Sequence, residues 1–245
     1  MKGEKRRAGA ATGRNRATKR APGARQRRTR SRPILLVAAR SPLILERLRK
    51  AYPDARCALD YRNAFQLICA TMLSAQCTDV RVNMVTPALF ARYADAFAMA
   101  RAAPADVEEI IKSTGFFRNK TKSLIGMAQA LVAEYQGEVP RTMEQLRNLP
   151  GVGRKTANVV LGNAFGINEG VTVDTHVARL SDRLRLTRHD DPVKIEQDLM
   201  PLFPRDDWAL VSHLLIFHGR QVCIARRPRC GECVLADLCP SADIP

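Results

Sequence analysis

Cys223, Cys230, Cys233 and Cys239 crowd the last stretch of the chain with the spacing C-x6-C-x2-C-x5-C. Four thiols this close in a reducing compartment point to a metal site, because the thiolate is a metal ligand and an unligated set would oxidise. Two chemistries compete. Structural zinc usually takes two tight ligand pairs, and only Cys230 and Cys233 make one. An iron–sulfur cubane is larger and suits single ligands spread along a compact loop, so the spacing favours iron–sulfur. Arg226, Arg227 and Arg229 lie in the step from Cys223 to Cys230, so a cluster pinning this loop would present it to phosphates without redox chemistry. Cys57, Cys69 and Cys77 are scattered, and Cys69 falls in an apolar helical pattern as a small buried hydrophobe.

A second constellation begins at Leu149-Pro150-Gly151-Val152-Gly153-Arg154-Lys155-Thr156. Two glycines in a turn between helices let backbone amides converge on an anion-sized site at the start of the second helix. This reads as a helix–hairpin–helix over about 143–166, in which Leu149, Gly151, Val152, Gly153 and Arg154 grip a DNA phosphate without reading sequence. An ordinary helix–helix turn is the alternative. Lys155 follows in the first turn of the new helix, the unfavourable end of the macrodipole for a cation. It is either an exposed surface charge or, if partly buried, an amine whose lowered pKa lets it attack carbon. In Val171-Thr172-Val173-Asp174-Thr175-His176, Asp174 stands where a helix begins, and capping alone accounts for it.

The elements that must position these residues are helical almost throughout from residue 41. Ser41-Pro42 reads as an N-cap followed by proline at the first helical position. Phe65, Ile68, Met72 and Leu73 share a helical face. Thr78 caps a helix that Pro87 should kink or end. Pro104 opens another, with Val107, Ile110 and Ile111 facing inward. The clearest runs from about Lys120 to Tyr135, stopped by Gly137 and Pro140. Thr142 and Gln145 form a capping box for a short helix to Leu149. Helices follow over 154–165 (closed by Gly166), 175–184, 192–202 (capped by Asp191) and about 207–221. Glu169–Val173 is the one β-leaning stretch. The fold class is all-α.

The chain of 245 residues, 46% of them apolar, is long enough to bury a core. Its charge is uneven: residues 1–33 hold 13 Lys or Arg against Glu4 alone, a segment of +12 in a chain of +16. With almost nothing large and apolar, this tail is expected to be disordered and to attract a polyanion, which in a cell means nucleic acid. It has too few apolar residues for the amphipathic helix of a transit peptide. The run Ile34–Ala39 is too short to span a membrane, and no signal-cleavage pattern follows it. The expected location is the cytoplasm, on the nucleoid if the cell is bacterial.

The hairpin LPGVGRKTAN, the following VDTH, LSAQCTD at Leu73–Asp79 and the four-cysteine terminus stand in the order found in endonuclease III, and the chain resembles that family over roughly residues 41–240. The resemblance implies a six-helix barrel lobe (57–168) and an iron–sulfur lobe (34–56 plus 169–245), with DNA across the cleft between them. It implies that Lys155 is the Schiff-base nucleophile, that Asp174 is the catalytic aspartate, and that the cysteines hold a 4Fe-4S cluster. Gln76 matches the residue that fills the space vacated by an expelled base. Phe116 falls where the family inserts an apolar wedge, often a leucine. The implied activity is base excision repair by a monomer on damaged or abasic double-stranded DNA: removal of oxidised pyrimidines, then β-elimination on the 3′ side.

Three rivals remain. An adenine-excising relative is expected to lack the lysine and to carry a further recognition domain. A pyrimidine-dimer glycosylase on the same plan is not separated by these motifs, since they do not define the lesion pocket. A non-catalytic DNA-binding module would use hairpin, cluster and tail alone, but would have no need of Lys155 with Asp174. The charge distribution gives a direct test of the tail. Deleting residues 1–33 should weaken binding to damaged and undamaged duplex alike and flatten the dependence of log Kd on log salt. An unchanged slope would mean that the tail does not touch DNA.

Overall fold

A computed structural model describes residues 36–243 of the chain, so the basic tail lies outside the described residues. Among them are eleven α-helices and no strand. In chain order these are α1 (Val37–Ala51), α2 (Ala64–Leu73), α3 (Asp79–Arg92), α4 (Ala96–Ala100), α5 (Pro104–Ile111) and α6 (Phe117–Tyr135). Then come α7 (Met143–Asn148), α8 (Arg154–Ala164), α9 (Thr175–Arg183), α10 (Pro192–Leu199) and α11 (Trp208–Gln221). None is long and apolar enough to cross a membrane.

Local chemistry sets most boundaries. Side chains of Asn63, Thr78, Asp95, Thr142, Asp174 and Asp191 each accept an amide hydrogen bond at the start of the following helix, meeting donors the helix cannot satisfy itself. Pro104 and Pro192 occupy the first helical position. Gly166, with φ 67°, closes α8.

Three expectations are corrected. The first helix starts at Val37, and Pro42 lies inside it. Pro42 lacks the N–H that would reach the Ala38 carbonyl, and the Ser41 hydroxyl donates to that carbonyl instead, at 3.4 Å. The turn before Pro42 is held by Arg40, whose buried guanidinium donates to the carbonyls of Leu184 and Leu238 at 2.8 and 2.9 Å. Helix α3 continues past Pro87 to Arg92, because Val82, Val85 and Leu89 bury one face while the proline ring sits on the exposed one. Residues 169–173 form no strand; Val171 and Val173 are both buried, and the Thr172 amide donates to Ser212 Oγ at 2.9 Å.

Two apolar cores fill the unit. The first is built only from residues 57–167, with Leu67, Ile68, Leu89, Met127 and Leu161 fully buried. The second combines α1 with residues 171–239 around Ile44, Val177, Leu199, Leu215 and Leu235. One polar cluster ties a helix of the first core to one of the second. Glu196 of α10, 4% exposed, accepts from Arg154 Nε and Nη2 at 2.7 and 3.0 Å and from Asn158 Nδ2 at 2.8 Å. Gly170 passes so close that a Cβ there would lie 1.7 Å from Glu196 Oε1. Removing one partner of a buried pair leaves the other uncompensated, at roughly 3 kcal/mol or more. Glu196→Ala should therefore lower Tm by about 6–12 °C at roughly 2–4 °C per kcal/mol, read by thermal melting. A shift under about 2 °C would show that this cluster does not join the cores.

Candidate functional site

Lys155 and Asp174 line one cleft. Its volume is about 120 Å³, and its walls come from both cores: Thr71 and Ser74 at the end of α2, Lys155 and Val159 of α8, and Ser212, His213, Phe217 and Arg220 of α11. Lys155 is exposed, the first of the two alternatives its position left open, and α8 has no side-chain cap ahead of it. Asp174 is half-buried, and its Oδ1 accepts from the amides of His176 and Val177, both at 2.8 Å. The cap uses that one oxygen. Among the described residues no group hydrogen-bonds Oδ2, so capping and an available carboxylate oxygen coexist in one residue.

The α11 wall escaped the sequence reading. Ala209, Ser212, His213, Ile216, Phe217 and Arg220 recur at helical spacing on the face turned to the cleft. The visible signal was a polar stripe on an otherwise apolar helix. Burial pushes His213 down to about 4, so it is neutral at physiological pH. Its Nε2 lies 2.7 Å from Asn163 Oδ1, while Asn163 Nδ2 donates to the Val159 carbonyl at 2.8 Å. The imidazole is thus the donor at Nε2, and Nδ1 carries the lone pair. Arg220 pairs with Asp79 at 2.6 Å, joining α11 to the first turn of α3.

The other candidates are placed unevenly. Gln76 and Phe116 are exposed, both with left-handed backbone (φ 52° and 48°), and neither lines the cleft. Gln76 shares its turn with Ser74, which does. Side chains of Leu149 and Val152 are buried at 3% and 6%, so at these positions only the main chain can meet a partner. Arg154, expected free for a phosphate, has its fork committed to Glu196. Gly151, at φ 77°, is required twice: a side chain would be strained there, and its Cβ would meet Ser123 Cβ at 2.8 Å. Gly153 has ordinary φ and open space around it, so the turn itself does not demand glycine.

All four C-terminal cysteines line one small cavity together with Arg183 and Arg229. No three Cys, His, Asp or Glu side chains among the described residues converge on a point that would hold a single metal ion. Four thiols lining one cavity are the donor set an iron–sulfur cluster takes.

Residues 69–205 match the HhH-GPD superfamily of base excision DNA repair proteins, and residues 223–239 match the iron-sulfur binding domain of endonuclease III. The endonuclease III of Synechocystis is 61% identical over 203 residues, covering 83% of this chain and 93% of its own. That of Escherichia coli K12 is 40% identical over 196 residues, covering 80% and 92%. Among solved structures, a trapped endonuclease III–DNA covalent intermediate superposes with a TM-score of 0.80 at 42% identity, over 85% of this chain and 98% of that one.

The chain belongs to the endonuclease III family.

It is accordingly a DNA glycosylase/lyase of base excision repair, and it carries a 4Fe-4S cluster. Cys223, Cys230, Cys233 and Cys239 lie within the matched segment and line one cavity, so they are the thiols that would hold it. Burial pushes Cys233 up to about 11, partly offset by the Leu235 amide, and the neighbouring Cys223, Cys239 and Cys230 push it further up. A thiolate at Cys233 is therefore disfavoured unless a cation centre compensates it, which iron would do. Donors already face the sulfurs: Arg183 Nη1 lies 3.2 Å from Cys223 Sγ and the Leu235 amide 3.4 Å from Cys233 Sγ. His218 Nε2 lies 3.2 Å from Cys233 Sγ, and Tyr52 Oη 2.9 Å from His218 Nδ1. A cluster held there would tie the C-terminal segment to α9 and α11, whose Arg183 and His218 already contact the Cys223 and Cys233 sulfurs.

Anaerobically purified protein should be yellow-brown with about four iron atoms per chain. Cys233→Ser should lose both the colour and the cooperative folding of the second core, followed by iron analysis and circular dichroism. Zinc without iron would overturn the assignment.

Proposed function

We propose that this chain is a bifunctional glycosylase and abasic-site lyase for oxidised pyrimidines in double-stranded DNA, acting as a monomer with Lys155 as nucleophile. The observation that carries this reading is the shared cleft of Lys155 and Asp174, each brought by a different core. We take the cores as two lobes, 57–168 and 34–56 plus 169–245, with DNA lying across them. The solved relative caught covalently on DNA supports the same reading.

The substrate base must leave the stack, since C1′ is out of reach inside a duplex. Gln76 and Phe116, exposed on strained turns, are suited to fill the opening; such left-handed backbone costs on the order of 1–3 kcal/mol per residue and collects at working sites. The uncapped amides at the start of α8 would hold a backbone phosphate, and the open space at Gly153 leaves room for its approach. The Lys155 Nζ lone pair then forms a bond to C1′ as the bond to the base breaks and the base leaves with the electron pair. The carboxylate of Asp174 stabilises positive charge on the sugar and takes a proton from the attacking amine. The Lys155–C1′ adduct opens to a Schiff base, which acidifies the C2′ proton. Loss of that proton expels the 3′ phosphate and cuts the strand.

Two substitutions separate catalysis from fold. Lys155→Ala should lower single-turnover release of thymine glycol by about 10³-fold or more while DNA binding is largely kept, since the α8 amides are untouched. Asp174→Asn should lower turnover by roughly 10²–10⁴-fold with a stability change under about 0.5 kcal/mol, because asparagine caps as well as aspartate. An active Asp174→Asn enzyme would return Asp174 to capping alone. Release from a pyrimidine dimer but not from thymine glycol would reassign the substrate.

A further inference from the structure

Lys120 is 7% exposed, and among the described residues its ammonium has no carboxylate partner. It donates instead to two main-chain carbonyls, Leu73 and Thr114, each at 2.8 Å. Leu73 is the last residue of α2, three before Gln76; Thr114 ends a short 3-10 helix, two before Phe116. The Lys120 amide in turn donates to the Phe116 carbonyl at 3.1 Å. One residue therefore holds both turns that carry the exposed candidates. Burial pushes the ammonium's pKa down, so the charge is held against a desolvation penalty.

The backbone of these turns adds an independent observation. Four non-glycine residues have positive φ. Gln136 and Arg185 lie just past the ends of α6 and α9, where left-handed residues ordinarily close helices. Phe116 stands at the N-cap of α6, and Gln76 lies midway in the turn between the end of α2 and the start of α3. They are also the two whose flanking carbonyls Lys120 holds. Without the ammonium, the Leu73 and Thr114 carbonyls would lose this buried donor, and no other hydrogen bond among the described residues joins the two turns.

We propose that Lys120 is a positioning residue for base expulsion: its ammonium fixes the Gln76 and Phe116 turns in a common frame so that both side chains enter the duplex together. This rests on the reading of Gln76 and Phe116 as the inserted residues. A purely structural lysine would affect every substrate alike. A positioning lysine matters most where a base must be pushed out of a paired stack, and least where no stack needs opening.

The test compares excision of thymine glycol from a fully paired duplex with cleavage at a preformed abasic site in single-stranded DNA, in single-turnover mode on the full-length iron-loaded protein. Lys120→Met, which keeps the stem and removes the donor, should lower the paired-to-unpaired activity ratio by about a hundredfold, the size expected for small misplacements in an active site. Lys120→Arg, which can still reach both carbonyls, should recover much of the ratio; if the methionine variant does not fold, the arginine variant carries the comparison through a partial drop. Cluster absorbance and circular dichroism check the fold. Gln76→Ala and Phe116→Ala run alongside. If those two lower the ratio and the Lys120 variants do not, the clamp is wrong and the insertion reading stands. If none of them lowers it, the insertion reading fails and the clamp with it. An equal loss on both substrates would make Lys120 structural only.

Discussion

The carboxylate of Glu196 sits where a helix from one apolar core crosses a helix from the other. Arg154 and Asn158, one turn apart on α8, both donate to it, and the chain narrows to Gly170 to let it lie there. Lys155 adjoins Arg154, so whatever fixes the start of α8 against α10 also fixes where the amine stands relative to α9. Asp174 opens α9, and its cap bonds set the carboxylate against the same cleft. Lys155 and Asp174 are thus brought to one cleft by contacts that involve neither the amine nor the free carboxylate oxygen. On the proposed mechanism that arrangement is what matters, because a nucleophile and a carboxylate carried by different cores are useful only at short and constant separation.

Division of labour within a residue recurs around the cleft. Asp174 spends one oxygen on helix geometry and keeps the other. His213 uses Nε2 to hold Asn163 and is left neutral, with a lone pair at Nδ1. The hairpin uses Gly151 for its turn and leaves Gly153 bare. In each case the structural duty orients the group and does not consume it. Sequence reasoning that sets capping against catalysis therefore poses a choice that the folded chain does not have to make.

Much of the fold was legible because caps and apolar periodicity are local. Pro104, Thr142, Asp191 and Gly166 announce their helices by rules that act over four residues, and the structure follows them. Pro42 and Pro87 misled for the complementary reason: burial of neighbours such as Leu45, Val85 and Leu89 outweighs one missing amide, and burial is not local. Lys155 and Asp174 were singled out in the sequence, and their roles came from the family resemblance, but the cleft they share was not legible. Its α11 wall arrives from a helix more than thirty residues beyond Asp174, and nothing in that helix names its partner. Glu196 carried no signal in the sequence and Arg154 was read as a phosphate contact; only their juxtaposition in the fold shows that each neutralises the other. Lys120 was invisible as well, since the groups it serves are main-chain carbonyls that every residue has.

The account comes down to whether a covalent bond forms between the Lys155 amine and the sugar. Incubation of the full-length protein with a thymine glycol duplex in the presence of borohydride reduces any imine to a stable amine, which protease digestion and mass spectrometry can then locate. The expected result is a protein–DNA adduct whose cross-linked peptide carries the sugar remnant on Lys155. Base release without a trapped adduct, or an adduct mapped to another amine, would contradict it.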